Sequence, residues 1–172
     1  MNRIILFLLL IIPAGMAAQQ RVVVAGDGSG DFKTIQEAIN SLPDSAALPR
    51  TIFIKKGSYQ EKLFIKKHNL ILEGEGREQT FITYSIARDE WRCDHPDDWG
   101  VATMNVQGND ITLKNLAVIN SFGFNFSGDY TVPCKADTTG KKTITIRSHQ
   151  MALRTMYCTR LKAVNCHFKA FG

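Results

Sequence analysis

Asn69-Leu70-Ile71-Leu72-Glu73-Gly74 returns, with substitutions, as Asp110-Ile111-Thr112-Leu113-Lys114-Asn115 and as Arg160-Leu161-Lys162-Ala163-Val164-Asn165. Each copy is a short apolar run between turn formers, and its alternation reads as a strand with one buried face. A strand that recurs at a coarse period reads as stacked coils. Each coil of such a stack turns alternate residues inward, and no coil is stable alone. Asn115 and Asn165 hold the same place in the repeat. Their side chains are expected to hydrogen-bond along the stack and satisfy turn groups that would otherwise be buried unpaired.

Working outward, strands are predicted over 21–25, 51–54, 63–66, 80–84, 102–106, 111–119, 143–147, 152–156 and 161–168. Gly57, Gly74-Glu75-Gly76, Gly108-Asn109-Asp110 and Gly140 punctuate them. One helix is expected, from Asp31 or Phe32 to about Ser41, because Phe32, Ile35, Ala38, Ile39 and Leu42 fall at helical spacing. Asp31 is the expected N-cap, and Pro43 stops the helix. No second helix is predicted in the series, which disfavours a βαβ fold. The helix would cap the open end of the stack and cover strand edges that could aggregate. A β-sandwich is the competing all-β architecture; the repeat and the capping helix favour a parallel β-helix.

The N-terminus reads as an export signal. Met1-Asn2-Arg3 is a short basic start, residues 4–12 are continuously apolar, and Pro13 to Ala18 supply small residues for cleavage. The run is too short to span a bilayer, and with no Cys after it a lipoprotein anchor is not expected. The remaining chain, 19–172, fits one domain. A net charge of +5 with 44% hydrophobic residues describes an ordinary core and a mildly basic surface, compatible with a polyanionic partner. Lys and Arg do not cluster among aromatics, which argues against nucleic acid. The four cysteines, Cys93, Cys134, Cys158 and Cys166, allow three full pairings. Cys93 and Cys134 lie in loop-like segments and form the first pair expected; Cys158 and Cys166 could equally be buried free thiols.

Two inserts, 86–101 and 121–142, break the strand rhythm. They carry Trp91, Trp99, Phe122, Phe124, Phe126 and Tyr130. Long loops in compact domains are usually functional or disordered. Trp91, Phe124 and Tyr130 are the candidates for stacking on sugar rings; the alternative is that the loops pack down as lids stapled by Cys93 and Cys134. Asp94, His95, Asp97 and Asp98 superficially suggest a metal site, but no ligand loop of EF-hand type surrounds them, and no metal is expected. Gly26-Asp27-Gly28-Ser29-Gly30-Asp31 is no dinucleotide fingerprint, because the third glycine is misplaced and the acids would repel phosphate. The three glycines are read as allowing a tight turn with positive φ.

Val24 to Ile39, followed by Gly57-Ser58-Tyr59-Gln60-Glu61, resembles the opening of a pectin methylesterase. Gly57, Tyr59 and Glu61 match that family's Gly-x-Tyr-x-Glu signature, and Glu61 is read as structural. The resemblance implies a right-handed, single-stranded parallel β-helix of the pectin-lyase-like class. It implies hydrolysis of methyl esters in polygalacturonate, without a cofactor, by an exported monomer that binds pectin. His149-Gln150-Met151-Ala152-Leu153-Arg154 resembles the family's Gln-Ala-Val-Ala-Leu-Arg, whose Gln stabilises the oxyanion. Aligned on Ala152-Leu153-Arg154, that Gln falls on His149, with Gln150 one residue away, so both are candidates. Cys166 to Gly172 resembles the segment that leads to the family's acid–base Asp. That Asp, the nucleophilic Asp and its Arg are expected beyond Gly172, which would make this chain an N-terminal portion that is inactive alone. Phe171 departs from the plant-type Tyr and points to a bacterial subgroup. The same fold also hosts calcium-dependent pectate lyases and could serve as a non-catalytic carbohydrate binder.

Overall fold

The structure is a computed structural model that describes residues 21–124, 130–134, 137–146 and 150–171. The export signal and His149 lie outside the described residues, as does the side chain of Tyr130. Sheet A stacks β1 (Arg21–Val24), β2 (Arg50–Ile54), β5 (Leu70–Gly74), β8 (Ile111–Lys114) and β13 (Leu161–Val164). Sheet B stacks β3 (Gly57–Tyr59), β6 (Thr80–Tyr84), β9 (Ala117–Asn120) and β14 (His167–Lys169). Sheet C stacks β4 (Leu63–Ile65), β7 (Ala102–Val106) and β12 (Met151–Thr155). Every pairing within these three sheets is parallel. The chain visits A, B and C in turn and then begins the next coil, which is a right-handed parallel β-helix.

Alternation within each strand builds the core. Ile52, Leu72 and Leu113 stack in register in sheet A, Tyr59, Ile82 and Val118 in sheet B, and Leu63 and Met104 in sheet C. All eight are buried. Each aliphatic member contributes on the order of 1.5–3 kcal/mol by leaving water.

The corners are fixed by residues in the left-handed conformation. Asn69, Asp110 and Arg160 have φ of 51°, 59° and 58° where the chain enters sheet A; Asn115 and Asn165 have 54° and 50° where it leaves. Asparagine and aspartate tolerate this region because a short polar side chain can bond locally. The Asn165 amide donates to Asn115 Oδ1 at 2.8 Å, so the asparagine ladder forms. One coil apart at the other corner, Arg160 grips the Asp110 carboxylate, with Nη2 donating to Oδ2 at 2.7 Å. That guanidinium holds Asp110 below the usual carboxylate range. The bend at Asn115 divides the expected strand 111–119 into β8 and β9, and the bend at Asn165 divides 161–168 into β13 and β14.

Helix α1 (Ile35–Ser41) covers the first coil with Ile35, Ala38 and Ile39. Its N-cap is Thr34, whose hydroxyl accepts from Glu37 N–H at 3.3 Å. Asp31 does not cap the helix; it accepts from Val23 N–H at 2.7 Å and blunts the open edge of β1. The Glu61 carboxylate accepts from Ile35 and Gln36 N–H at 2.8 and 2.9 Å, so it caps α1 from across the turn. The Gln36 amide pairs with both backbone groups of Phe64, at 2.8 and 3.2 Å, and closes the edge of β4 as a further strand would. In the preceding turn only Gly28 takes positive φ (82°), whereas a Cβ on Gly30 would lie 2.6 Å from the Val23 carbonyl oxygen.

A second helix exists, against expectation. Helix α2 (Arg88–Asp94) lies inside the first insert and has no buried residue, so its sequence carries no apolar stripe to read. The second insert contains an antiparallel pair, β10 (Tyr130–Pro133) with β11 (Thr143–Ile146). Among the described residues no helix is long and apolar enough to cross a membrane.

Candidate active-site face

The outer face of sheet C lies beside both inserts. Asn105 on β7 is fully buried there. Its amide donates to the carbonyls of Leu63 (3.2 Å) and Ala102 (2.8 Å) and accepts from Ala102 N–H (3.2 Å). Asn120, at the end of β9, is also 0% exposed. Its Oδ1 accepts from Ile86 and Phe122 N–H, both at 3.2 Å. Its Nδ2 donates to the carbonyls of Ile86 (2.8 Å) and Met151 (3.1 Å). One side chain thus ties the roots of both inserts to the start of β12, with its full hydrogen-bonding capacity used.

The inserts then pack on one another. Ala87, Phe122 and Ile146 form a small core, with Val132 and Ile144 against it. Cys93 and Cys134 are joined as a disulfide with Cα atoms 5.8 Å apart, the pair expected first. Cys158 and Cys166 are free thiols, half-buried against the main core. Burial pushes the Cys158 thiol up.

Trp91 has no free face for a sugar. His95 stacks on it with ring centroids 3.4 Å apart, and Lys62 Nζ stands 3.6 Å from its centroid. Two groups so close to one centroid must occupy opposite faces. Phe64 meets Trp91 and Trp99 at tilted contacts of 6.3 and 5.7 Å, so the three rings form a wall along the start of sheet C. Asp98 gathers three arginines: Arg88 at 3.0 Å, Arg92 at 3.8 Å and Arg154 of β12 at 4.0 Å. Asp97 accepts from Trp99 N–H at 2.9 Å. Asp94 lies near Cys93 and Cys134, whose sulfurs are bonded to each other and offer no thiolate to a metal.

Gln150 opens β12 at the other end of the face, two strand steps and so roughly 10 Å from β4. Its N–H donates to the Phe171 carbonyl at 3.3 Å. Phe171 is half-exposed and lies against Gly123, and Lys169 Nζ stands 4.7 Å over the Phe124 ring. Through these contacts the start of β12, Phe171, Lys169 and Phe124 lie at the same end of the face. The sequence reading missed Asn105, Asn120, Phe64 and Arg154. Phe64 had a visible signal, because Lys62, Phe64 and Lys66 alternate onto one face. Asp137 has its Oδ2 on Lys142 N–H at 2.5 Å and its Oδ1 on the Thr139 hydroxyl at 2.6 Å. These bonds hold its pKa at about 2, unsuited to a general acid.

Residues 21–169 match the family model described as Pectinesterase. The chain belongs to the pectinesterase family. A "Pectinesterase" of Petunia integrifolia is 37% identical over 108 residues, covering 62% of this chain and 28% of that protein. "Probable pectinesterase/pectinesterase inhibitor 23" of Arabidopsis thaliana is 32% identical over 144 residues, covering 77% and 25%. Among solved structures, a pectin methylesterase in complex with a hexasaccharide superposes with a TM-score of 0.64 at 27% identity, covering 87% of this chain and 43% of that one. Pectin methylesterase from carrot gives 0.60 at 26%, covering 87% and 39%. The chain thus spans 28% and 25% of these two curated relatives and 43% and 39% of these two solved structures.

Proposed function

We propose that this chain is the N-terminal portion, residues 19–172, of an exported esterase domain that removes methyl groups from pectin. The reaction would be hydrolysis of the galacturonate methyl ester to methanol and pectate. The observation that carries this reading is the Gln150 corner. By the motif resemblance the family's oxyanion-stabilising amide would fall at the start of β12, where Gln150 N–H bonds the Phe171 carbonyl, two residues from the Lys169 that lies over exposed Phe124. A positioned amide N–H stabilises charge that develops only as the ester carbonyl is attacked. His149 is the alternative donor. The substrate contacts proposed are Phe124 and Tyr130, with Trp91 as part of the wall that shapes the cleft.

Chemistry of this kind needs a nucleophile and a separate acid–base group. The carboxylates of Asp98, Asp110 and Asp137 are each held by arginines or by loop hydrogen bonds. We therefore assign neither role to them and expect the Asp pair and its Arg to come from sequence following the Cys166–Gly172 segment. No metal or organic cofactor is part of the mechanism, and the working form is a monomer.

The test is methanol release from methylated pectin by the secreted gene product, with Gln150→Ala and His149→Ala compared. Loss of roughly 10²–10³ in kcat for one variant, with binding retained, supports the oxyanion role. Pectin binding without methanol release would refute the esterase reading in favour of a carbohydrate binder. Calcium-dependent growth of absorbance on de-esterified pectin would replace it with a lyase.

A further inference from the structure

Sheet A carries two adjoining hollows on its outer side, on a different face of the coil from sheet C. The larger, about 580 Å³, is lined by Asp27, Phe53, Lys55, Lys56, Tyr59 and Glu75 among others. The second, about 400 Å³, is lined by Arg21, Thr51, Phe53 and Glu73. Phe53 belongs to both, so they form one trough along β2, roughly 16 Å from Thr51 to Lys56 at the rise of an extended strand.

Of the acids of this trough, Glu73 is offset by a cation, whereas Asp27 and Glu75 are held by hydrogen bonds and keep their charge. Glu73 pairs with Lys114 at 2.7 Å. Asp27 accepts from Ser29 N–H and Oγ–H at 2.9 and 2.6 Å. Glu75 accepts from Lys56 N–H at 2.7 Å. Lys55 acts electrostatically on Asp27, and Arg21 and Lys56 are less committed. Arg21 lies over the Phe53 ring at 4.4 Å, and Lys55 Nζ donates to Ser29 Oγ at 3.0 Å. Among the described residues, Arg21, Lys55 and Lys56 make no ion pair with a carboxylate. Arg21, Lys55, Lys56 and the Lys114 paired with Glu73 outnumber the three carboxylates by one, and that positive balance beside the Phe53 ring suits a ligand that is hydroxylated and negative.

We propose that this trough is a second saccharide site, binding an anionic sugar chain away from the catalytic face. Its identification with de-esterified polygalacturonate rests on the pectin reading above. The product of ester hydrolysis carries the charge that the trough selects. A stretch of chain already de-esterified would be held on sheet A while methylated stretches reach sheet C. Tethering of that kind raises the local concentration of substrate without any new contact at the cleft.

The experiment is an amide NMR titration of the secreted protein with de-esterified and with fully methyl-esterified oligogalacturonate. The acidic oligomer is expected to shift the amides of Gly26, Lys56 and Glu75, and added salt to weaken it. The Arg21→Glu/Lys56→Glu double variant, at two exposed positions, should weaken that binding about tenfold, the effect of about 1.4 kcal/mol. Shifts confined to the Gln150 face and unchanged in the variant would overturn the trough and leave the pectin reading standing. Equal shifts in the trough from the esterified oligomer would overturn recognition by charge. Absence of binding on either face would overturn both readings.

Discussion

Replacing Asn120 by Ala removes four hydrogen bonds at once, two to Ile86 and one each to Phe122 and Met151. The site is fully buried, so water does not replace them without opening the junction. Each net bond is worth about 1 kcal/mol, and a donor or acceptor left unsatisfied costs about 1–3 kcal/mol. Four bonds with partial relaxation give a loss of roughly 3–4 kcal/mol, a large share of the ~5–15 kcal/mol that holds a typical domain. For a chain of this length the midpoint of thermal unfolding should fall by about 10 °C. Asn120→Asp tests the mechanism more sharply. It keeps the acceptor for Ile86 and Phe122 N–H but turns an ionised oxygen toward the carbonyls of Ile86 and Met151. It should be as damaging as Ala at neutral pH and recover on acidification. The assay is thermal and urea unfolding of the purified protein, with hydrogen exchange at the Ile86 and Phe122 amides. A loss below about 1 kcal/mol, with both amides as protected as before, would refute the claim that this side chain ties the inserts to β12.

Three further outcomes are expected. Glu61→Gln keeps one acceptor for the α1 N-terminus and loses the charge that favours it; a loss of about 1 kcal/mol is expected in urea titration. Reducing the Cys93–Cys134 bridge, which closes a loop with a sequence separation of 41, should remove about 4 kcal/mol by the chain-entropy estimate. It should also raise hydrogen exchange in α2 and β11 before the coil itself. Asp137 should titrate at about 2 by NMR. Because its folded pKa lies below the ordinary carboxylate value, its stabilisation of the β10–β11 loop is complete above roughly pH 4. It should fade as pH falls through about 2, and a midpoint near 3.8 would contradict the hydrogen bonds drawn to it.

Much of the coil could be read from the chain, because the stack repeats one physical requirement. Leu70, Leu72, Ile111 and Leu113 must face inward, and Asn115 and Asn165 must turn the corner in the left-handed region. Where the reading slipped, the local signal was absent or ambiguous. Leu116, Ala117 and Val118 are all buried, so the apolar run continues through the bend at Asn115 and looks like one strand. Helix α2 presents no buried stripe, and its place is set by the disulfide and by Trp91. Asp31 and Thr34 are both good caps; the bridge between Val24 and Phe32 draws Asp31 onto the β1 edge and leaves Thr34 to start the helix. Gln150 is proposed from a motif, whereas nothing in the sequence marks Asn120. Its partners at Ile86 and Met151 lie 34 and 31 residues away, and a polar residue at a strand end carries no mark of such a junction.

The position of the inserts follows from the same corner geometry. Between sheets C and A the chain has only a few residues, as in 66–69 and 107–110, and there the left-handed residues Asn69 and Asp110 hold it. Between sheets A and B the turns are as short as Asn115-Leu116 and Asn165-Cys166, where a ladder bond locks them together. The A-to-B turn lengthens to residues 75–79 after β5, but an insertion at the Asn115 or Asn165 turn would break the ladder bond between them. The B-to-C corner carries no such ladder among the described residues, and both long inserts occur there, between β6 and β7 and between β9 and β12. Anything added at that corner arrives beside the outer face of sheet C. Asn120 closes the root of both additions, and the disulfide joins their far ends. The repeat that specifies the core therefore also limits where long inserts can be added: β4, β7 and β12 form the face beside them, and the inserts leave the stack undisturbed.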